Sequence, residues 1–256
     1  MNLKIIDSGK KSAEENMEID RHLLLSLDPA NDASPILHFY DWQQPSATYG
    51  YFSSPLTQLN PSAVEKYGLH LARRPTGGGI IFHQFDFAFS FLLPASHPQF
   101  SLNTLDNYRL VNTVIAKTIL QLLEVHPTEH INKDDLTQLE LQTSTKKCSE
   151  DTLVEKELRN FCMALPTVYD VIRGDHKLAG GSQRRTKLGF LHQASIAMMI
   201  PPDNFLDEIL AHNANIAKAM KKHTFHLLGI EATAEEKISI KKTLKNLLVE
   251  NFSEFS

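Results

Sequence analysis

The sequence predicts an α+β fold in which mixed β-sheets pack against helices. Segments with strand signals are punctuated by proline and glycine, whereas other segments show apolar residues at helical spacing. Strands and helices in separate runs, rather than in regular alternation, are typical of this class. At 256 residues the chain is long enough to bury a substantial core. We therefore expect one domain over residues 1–256.

The N-terminal elements carry clear local signals. Residues 3–6 predict a short strand, and Ser12 with Glu15 predicts a capping box for a helix that runs to about Leu27. Residues 36–52, ILHFYDWQQPSATYGYF, are rich in aromatic and β-branched side chains and contain a proline. This composition predicts two strands around a turn.

The next segments predict a helix, a strand and a longer helix. Residues 61–67 favour a short helix. From Gln84 to Phe91 polar or small residues alternate with phenylalanines, which predicts a half-buried strand after a glycine-rich bend. An amphipathic helix follows from about Thr104 to Leu123, with Leu105 on its apolar stripe.

The second half of the chain begins with a polar stretch. Residues 127–160 are charged and poor in aromatic side chains, which indicates a mobile or loosely packed insertion. Strand signals return in VYDVIRG and FLHQASIAMMI, with a glycine-rich turn predicted between them at DHKLAGGS. A C-terminal segment with helical periodicity follows.

Composition excludes several classes of function. The formal net charge of -4 gives no global positive field for nucleic acid. The two cysteines, Cys148 and Cys162, are too few for a disulfide framework and indicate a reducing compartment. No apolar run approaches the roughly 20 residues of a membrane span, and no signal peptide is evident. We expect a cytoplasmic protein with no nucleic-acid or membrane partner.

A glycine-rich loop is the first candidate for binding chemistry. It combines hydrogen-bond donors with a backbone that can approach a ligand closely. The residues are Arg73, Arg74, Thr76, Gly77, Gly78 and Gly79. Such a loop suits an acyl carbonyl, a phosphate or a carboxylate, although a tight strand connection with surface arginines fits equally well. The standard nucleotide-binding fingerprints are absent.

A second candidate surrounds Lys177, which precedes the predicted bend at Gly180 and Gly181. Ser182 and Gln183 add further hydrogen-bonding groups. A fixed ammonium can stabilise developing oxyanion charge or hold a phosphate. The alternative is an ordinary solvated lysine in a turn.

Cys162 is the candidate nucleophile. A thiol just before a strand could form a thioester if a nearby cation stabilises the thiolate, whereas a buried unreactive thiol is the alternative. Cys148 lies in a charged stretch and is given no role. His83, His192 and the remaining histidines lack metal-ligand spacing, so we expect structural roles for them and no metal site.

Taken together, these segments resemble the lipoate-protein ligase and octanoyltransferase family of the biotin/lipoate ligase superfamily. The resemblance spans most of residues 10–200 and depends on RRPTGGGIIFH followed by PTVYDVIRGDHKLAGGSQRR and LHQASI. It implies the catalytic-domain fold of that superfamily, with residues 127–160 as an insertion. It also implies that Cys162 and Lys177 are catalytic, and that the acyl group is bound by a larger set. This set is Arg73, Arg74, Thr76, Gly77, Gly78, Gly79, His83, Gly180, Gly181, Ser182, Gln183 and Ala194.

Three details favour the cysteine-dependent octanoyltransferase branch. The histidine of the first motif is followed by QFDFAFSF rather than the HDxGN pattern of ligases, and Cys162 falls where the resemblance places the acyl-accepting cysteine. The chain is also too short for the accessory domain of many ligases. The implied reaction moves an octanoyl or lipoyl group from acyl carrier protein, through a cysteine thioester, to a lysine of a lipoyl-accepting domain.

The resemblance also defines partners, cofactors and alternatives. The implied acceptors are the glycine cleavage H protein and the E2 component of 2-oxoacid dehydrogenases, and the transferase needs no cofactor. An ATP-dependent lipoate ligase, with Mg and a lipoyl-adenylate intermediate, is the first alternative. A catalytically silent acyl-binding protein is the second, because the sequence departs from the family pattern at Gly181 and around His192.

Overall fold

Ten strands form two sheets in the part of the chain that the structure describes. The structure is a computed structural model, and it describes residues 2–126, 139–143, 157–210, 214–228 and 232–255. The strands are β1 (Lys4–Lys11), β2 (Ile36–Trp42), β3 (Ser46–Tyr49), β4 (His70–Arg73), β5 (Ile81–Phe82), β6 (Asp86–Pro94), β7 (Leu139–Leu141), β8 (Val171–Arg173), β9 (His176–Arg185) and β10 (Gly189–Ala197). The mixture of sheets and helices confirms the α+β prediction.

The larger sheet has seven strands in the order β1-β2-β6-β10-β9-β8-β7. Strands β1 and β2 pair in parallel, and the remaining neighbours pair antiparallel. The smaller sheet has the order β4-β3-β5, with β3 parallel to β4 and antiparallel to β5. The two strands predicted in residues 36–52 therefore exist, but they belong to different sheets and do not form a hairpin.

The helices cover both faces of the larger sheet. They are α1 (Ala13–Leu25), α2 (Pro61–Lys66), α3 (Thr104–Val125), α4 (Asp203–Ile209), α5 (Ala214–His223) and α6 (Ala234–Ser253), with a 3₁₀ turn at Pro55–Thr57. Helices α3 and α6 pack on each other and on one face of the sheet, and α1 packs on the other. No helix in the described ranges is long and apolar enough to cross a membrane.

Helix α1 begins as the sequence predicts. The Ser12 side chain accepts a hydrogen bond from the Glu15 N–H, and the Glu15 carboxylate accepts one from the Ser12 N–H at 2.9 Å. This reciprocal pair satisfies two N–H groups that a helix start leaves without partners. The helix ends at Leu25, close to the predicted end, and carries Asp20 into the interior.

Strand β6 is buried along its whole length, which corrects the half-buried prediction. Phe87, Phe89 and Phe91 face the core beneath α3 and α6. The alternate residues are also covered, since Ala88 and Leu92 pack with side chains of α1. A sheet covered on both faces buries both sets of alternating side chains, so period two alone does not report exposure.

Two further local predictions are wrong. The segment DHKLAGGS was predicted as a turn, but the turn lies at Gly174 and Asp175, and Gly180 and Gly181 lie inside strand β9. Leu105 was placed on the apolar stripe of α3 but is 47% exposed. The predicted insertion at 127–160 falls largely outside the described residues, as does Cys148.

His192 lies in the middle of the larger sheet and is fully buried. It sits opposite Phe91 on β6 and Gln183 on β9, and its Nδ1 lies 2.8 Å from the Gln183 Nε2. Burial lowers the pKa of His192 from 6.5 to about 3. The imidazole is therefore neutral in the folded protein at neutral pH, because the interior offers no solvation for its charge.

This depressed pKa predicts acid sensitivity in a defined window. The unfolded chain takes up a proton at His192 near pH 6.5, whereas the folded chain does so only near pH 3. The contribution of neutral His192 to the free energy of unfolding is therefore fully present above pH 6.5, and it is lost as the pH falls below that value. Relative to His192→Gln, the wild type should lose about 2 kcal/mol between pH 7 and pH 5. Urea unfolding at both pH values measures this; equal losses in the two proteins would contradict it.

Candidate active site

A cavity of about 350 Å³ lies where the two sheets meet the segment that carries Cys162. Both sheets, the glycine-rich loop and residues 159–167 contribute to its wall. The residues that line it include most of those predicted from the sequence to act in catalysis or acyl binding: Arg74, Gly77, Gly78, Gly79, His83, Cys162, Lys177, Gly180, Gly181, Ser182, Gln183 and Ala194. The remaining lining residues are Met17, Tyr40, Thr48, Ile81, Ala88, Tyr108, Arg159, Phe161, Met163, Leu165, Thr167, Gln193 and Ser195.

The glycine-rich loop presents unused backbone donors. The N–H groups of Gly77, Gly78 and Gly79 donate no hydrogen bond to any part of the chain that the structure describes. Gly78 has a φ of 87°, a conformation that favours glycine. At Gly79 a side chain would overlap the backbone of Asn160. The loop therefore packs tightly against the cysteine segment while its donors stay available for a ligand.

Arg74 fixes this loop from inside. Arg74 is 4% exposed, and its guanidinium donates from Nη2 and Nε to the Gly77 carbonyl at 2.6 and 3.0 Å. Nη1 donates to the Thr48 carbonyl at 3.2 Å, and Nε donates to the Ser182 Oγ at 3.2 Å. One buried side chain thus joins the loop, the smaller sheet and strand β9.

Cys162 stands at the cavity wall beside Arg74. Its N–H donates to the Ile80 carbonyl at 3.0 Å, and the Ile80 N–H donates to the Asn160 carbonyl at 2.6 Å, so the loop and the cysteine segment form a short bridge. The half-buried thiol lies 3.4 Å from the Arg74 Nη2. The Arg74 guanidinium therefore contacts the sulfur of the candidate nucleophile.

Lys177 reaches the same segment from strand β9. Its Nζ lies 2.7 Å from the Asp170 Oδ2 and donates to the Cys162 carbonyl at 2.9 Å. Both charged side chains are buried, at 6% and 2% exposure. Lys177 was predicted as catalytic, and the alternative of a solvated turn residue is wrong because the residue lies in a strand and points inward.

Asp170 is a site residue that sequence reasoning missed. It accepts hydrogen bonds from the N–H and hydroxyl of Thr167 at 2.7 and 2.9 Å in addition to the Lys177 ion pair. Tyr169, just before it, adopts a left-handed φ of 66°, which is uncommon for a residue other than glycine. Such strain often marks functional sites. The signal was present, because Asp170 lies in PTVYDVIRGDHKLAGGSQRR, one of the segments that carry the family resemblance.

Arg73 and Thr76 do not line the cavity, which corrects their predicted place there. Strand alternation sends Arg73 to the opposite face from Arg74, where it is exposed and lies 5.8 and 6.0 Å from the rings of Tyr49 and Tyr51. Thr76 is buried behind the wall, 2.6 Å from the Ser182 Oγ. It therefore supports the site from behind.

His83 is held in a polar cluster on the cavity wall. Its Nδ1 lies 2.9 Å from the Asp86 Oδ2, its Nε2 lies 2.9 Å from the Thr48 Oγ1, and its ring stacks on Trp42 at 4.0 Å. Every polar atom of the imidazole has a partner, which fits the predicted structural role. Within the described ranges, no group of three or more His, Cys, Asp or Glu side chains could hold a metal ion.

The aromatic lining of the cavity does not come from the phenylalanine-rich strand β6. The phenylalanines of β6 face the helices, and Phe52 is 93% exposed. Tyr40, Phe161 and Tyr108 line the cavity instead. Burial raises the pKa of Tyr108 well above its ordinary value, so its hydroxyl remains neutral.

The arrangement suits acyl transfer through sulfur. A thiol, a guanidinium and an ammonium meet at one wall, unused N–H groups lie next to them, and the rest of the cavity is largely apolar. A thiolate can accept an acyl group, and fixed donors can stabilise the oxyanion that forms in each step.

Comparisons with known proteins agree with this chemistry. A family model described as the lipoyl protein ligase A/B catalytic domain matches residues 12–253. The octanoyltransferase LipM of Halalkalibacterium halodurans is 26% identical over 221 residues, which cover 86% of this chain and 74% of the relative. The LipM octanoyltransferase of Bacillus subtilis is 27% identical over 220 residues, with the same coverage of both chains.

Solved structures share the fold. A bipartite lipoate protein ligase from Thermoplasma acidophilum, studied with its E2 lipoyl domain, has a TM-score of 0.65 at 19% identity and covers 100% of this chain and 84% of its own. A lipoate-protein ligase A bound with ATP has a TM-score of 0.61 at 18% identity, with 100% and 85% covered. At these identities the likeness concerns the fold alone.

The close approach at Gly180 gives a testable requirement. A side chain there would overlap the Asp170 carboxylate and lie 2.7 Å from the Lys177 Nζ. We expect Gly180→Ala to disturb this buried ion pair and lower the free energy of unfolding by about 2 kcal/mol or more. Gly77→Ala is the matched control, because its added carbon meets no atom within 4 Å. Urea unfolding compares them; equal stability would disprove the requirement.

Proposed function

The chain belongs to the lipoyl protein ligase A/B catalytic domain family, and from this premise we propose that it is an octanoyltransferase of protein lipoylation. Residues 1–256 act in this proposal as one catalytic domain. Its substrate is an octanoyl thioester, and its product is an octanoyl amide on a lysine of a lipoyl-accepting domain. The LipM relatives, which carry this activity in their names, support the assignment.

The position of the Cys162 sulfur is the observation that carries the proposal. It lies at the cavity wall, 3.4 Å from the Arg74 guanidinium, while the carbonyl of the same residue accepts from Lys177. A transferase with a covalent intermediate needs such a nucleophile. A mechanism through a lipoyl-adenylate does not use this sulfur.

In the first step the Cys162 thiolate attacks the carbonyl carbon of the donor thioester. The tetrahedral intermediate collapses with a new Cys162 thioester, and the carrier sulfur leaves as a thiolate that takes a proton from solvent. In the second step the lysine amine of the acceptor attacks this thioester. The amide bond forms, Cys162 leaves as a thiolate, and the amine releases a proton. Two easier transfers replace one difficult one.

Lys177 and the glycine-rich loop are assigned to the oxyanion. A lysine ammonium has three N–H donors, and in the described structure Asp170 and the Cys162 carbonyl take two of them. The third, together with the unused N–H groups near Gly78, is assigned to the negative oxygen of each intermediate. Asp170 fixes the ammonium in place, which limits reorganisation during the reaction.

The apolar part of the cavity is assigned to the acyl tail. Tyr40, Ile81, Ala88, Met163 and Leu165 provide apolar surface there. Burying seven apolar carbons at about 0.8 kcal/mol each gives about 5–6 kcal/mol of gross binding free energy. This contribution favours a medium-length chain over an acetyl group.

The partners follow from the chemistry. We assign the donor as octanoyl-acyl carrier protein, whose cargo is a thioester. The acceptor is a lipoyl-accepting domain, either the glycine cleavage H protein or an E2 component. The Thermoplasma acidophilum structure, described together with its E2 lipoyl domain, supports the acceptor class.

The covalent intermediate is directly testable. Wild type incubated with octanoyl-acyl carrier protein and no ATP should gain a hydroxylamine-labile octanoyl adduct, and Cys162→Ser should gain none. Intact-protein mass spectrometry measures both. If wild type stays unmodified yet transfers lipoate once ATP is added, the protein is a lipoate ligase and the proposal is wrong.

The role of Lys177 is tested by turnover. Lys177→Met should lower the rate of octanoyl transfer by about 10²–10³, the scale of one lost oxyanion donor. Lys187→Met is the control, because Lys187 is exposed at the turn between β9 and β10 and should retain the wild-type rate. Near-normal transfer by a folded Lys177→Met variant would remove the lysine from the mechanism.

A further inference from the structure

Asp20 on helix α1 is a buried carboxylate that the proposed chemistry does not use. It is fully buried and accepts hydrogen bonds from Ser90 and Gln193 at 2.6 Å and from the His38 Nδ1 at 2.8 Å. Within the described ranges no lysine or arginine lies within ion-pair distance of it. The second amide hydrogen of Gln193 points to the Met17 sulfur at 3.2 Å. The titratable partner of Asp20 is the His38 imidazole, with which it forms a fully buried pair.

A chain of hydrogen bonds connects Asp20 with Arg74, and the carboxylate fixes its direction. Because Asp20 only accepts, Gln193 must turn its NH₂ group to it and its carbonyl to Thr76. Thr76 then donates to Gln193 at 2.6 Å, so the Ser182 hydroxyl, also at 2.6 Å, must donate to Thr76. Ser182 finally accepts from the Arg74 Nε at 3.2 Å. All four bonds run from the cation to the anion.

The far end of this chain is the guanidinium beside the nucleophile. Arg74 is buried, and in the described part of the chain no carboxylate lies within ion-pair distance of it. Its Nε donates to both the Gly77 carbonyl and the Ser182 Oγ, and its Nη2 is directed to the same carbonyl and to the Cys162 sulfur. The guanidinium that contacts the sulfur is thus joined to a carboxylate four hydrogen bonds away.

We propose that Asp20 is a positioning residue that holds Arg74 against the Cys162 sulfur through Gln193, Thr76 and Ser182. A carboxylate gives the chain a single direction, whereas a neutral amide at position 20 would permit the Gln193 amide and both hydroxyls to reverse. Polar chains of aligned donors reinforce one another in a low-dielectric interior. The inference rests on the proposed function only in taking Cys162 as the nucleophile.

The test is the alkylation rate of Cys162 by iodoacetamide, measured by peptide mass spectrometry on the full chain, with Cys148 as an internal reference. Asp20→Asn should lower the Cys162 rate about tenfold relative to Cys148, the scale of one charge-assisted hydrogen bond. Thr76→Val breaks the chain at its middle while Asp20 keeps all its partners, and it should lower the rate to a similar extent. The Thr76→Val variant also tests the proposal if Asp20→Asn does not fold.

Ser90→Ala is the matched control, since it removes another hydrogen bond to the same Asp20 oxygen without interrupting the chain. It should lower the melting temperature and leave the Cys162 alkylation rate unchanged. In single-turnover acylation, Asp20→Asn should lower the rate constant and leave the donor concentration for half-saturation unchanged. Folded Asp20→Asn and Thr76→Val proteins with wild-type alkylation, or an equal loss in Ser90→Ala, would overturn the proposal.

Alkylation needs neither donor nor acceptor protein, which separates the two proposals. Slower alkylation in Asp20→Asn, together with no octanoyl transfer by wild type, would keep the positioning role and remove the transferase assignment. Normal octanoyl transfer by wild type, together with unchanged alkylation in Asp20→Asn, would keep the transferase assignment and remove the positioning role.

Discussion

The buried ion pair between Lys177 and Asp170 is the interaction on which the site depends. Removing both charges from water is costly, and their attraction compensates only because the geometry is close and further hydrogen bonds complete it. Thr167 supplies those bonds to the carboxylate, and the Cys162 carbonyl receives one from the ammonium. The pair therefore joins strand β9 to the segment that carries the sulfur, so stability and site geometry share one set of contacts.

The site is composite. The smaller sheet and its loop supply Arg74, the larger sheet supplies Lys177 and Ser182, and an irregular segment between them supplies Cys162. Each piece is held by the others: Arg74 bonds the loop and strand β9, while the Ile80 bridge fixes the cysteine segment to that loop. Residues far apart in the chain thus reach one wall only after both sheets have formed, which is why no single motif describes the site.

Local chemistry could be predicted where local interactions decide it. The capping box at Ser12 is one example, and the motif residues that line the cavity are another. Glycine was misleading, because the sequence cannot distinguish a turn from a strand in which a neighbour leaves no room for a side chain, as at Gly180. Arg73 and Arg74 are adjacent and chemically alike, and only the alternation of side chains along the strand places Arg74 inward and Arg73 outward. Asp170 gained its role from Lys177, which lies seven residues later in strand β9.

The packing around Gly79, Gly180 and Gly181 is so tight that the cavity wall depends on the lack of a side chain at these three positions. At each of these positions an added carbon would overlap a neighbour: the Asn160 backbone, the Asp170 carboxylate or the His192 ring. Tolerance to change is consequently one-sided there, because every substitution adds volume and none can remove it. Variation that reshapes the cavity is therefore easier at larger lining side chains, such as Met163 and Tyr108. The glycines therefore fix one part of the cavity wall, and changes in substrate preference are expected to arise from the other lining residues.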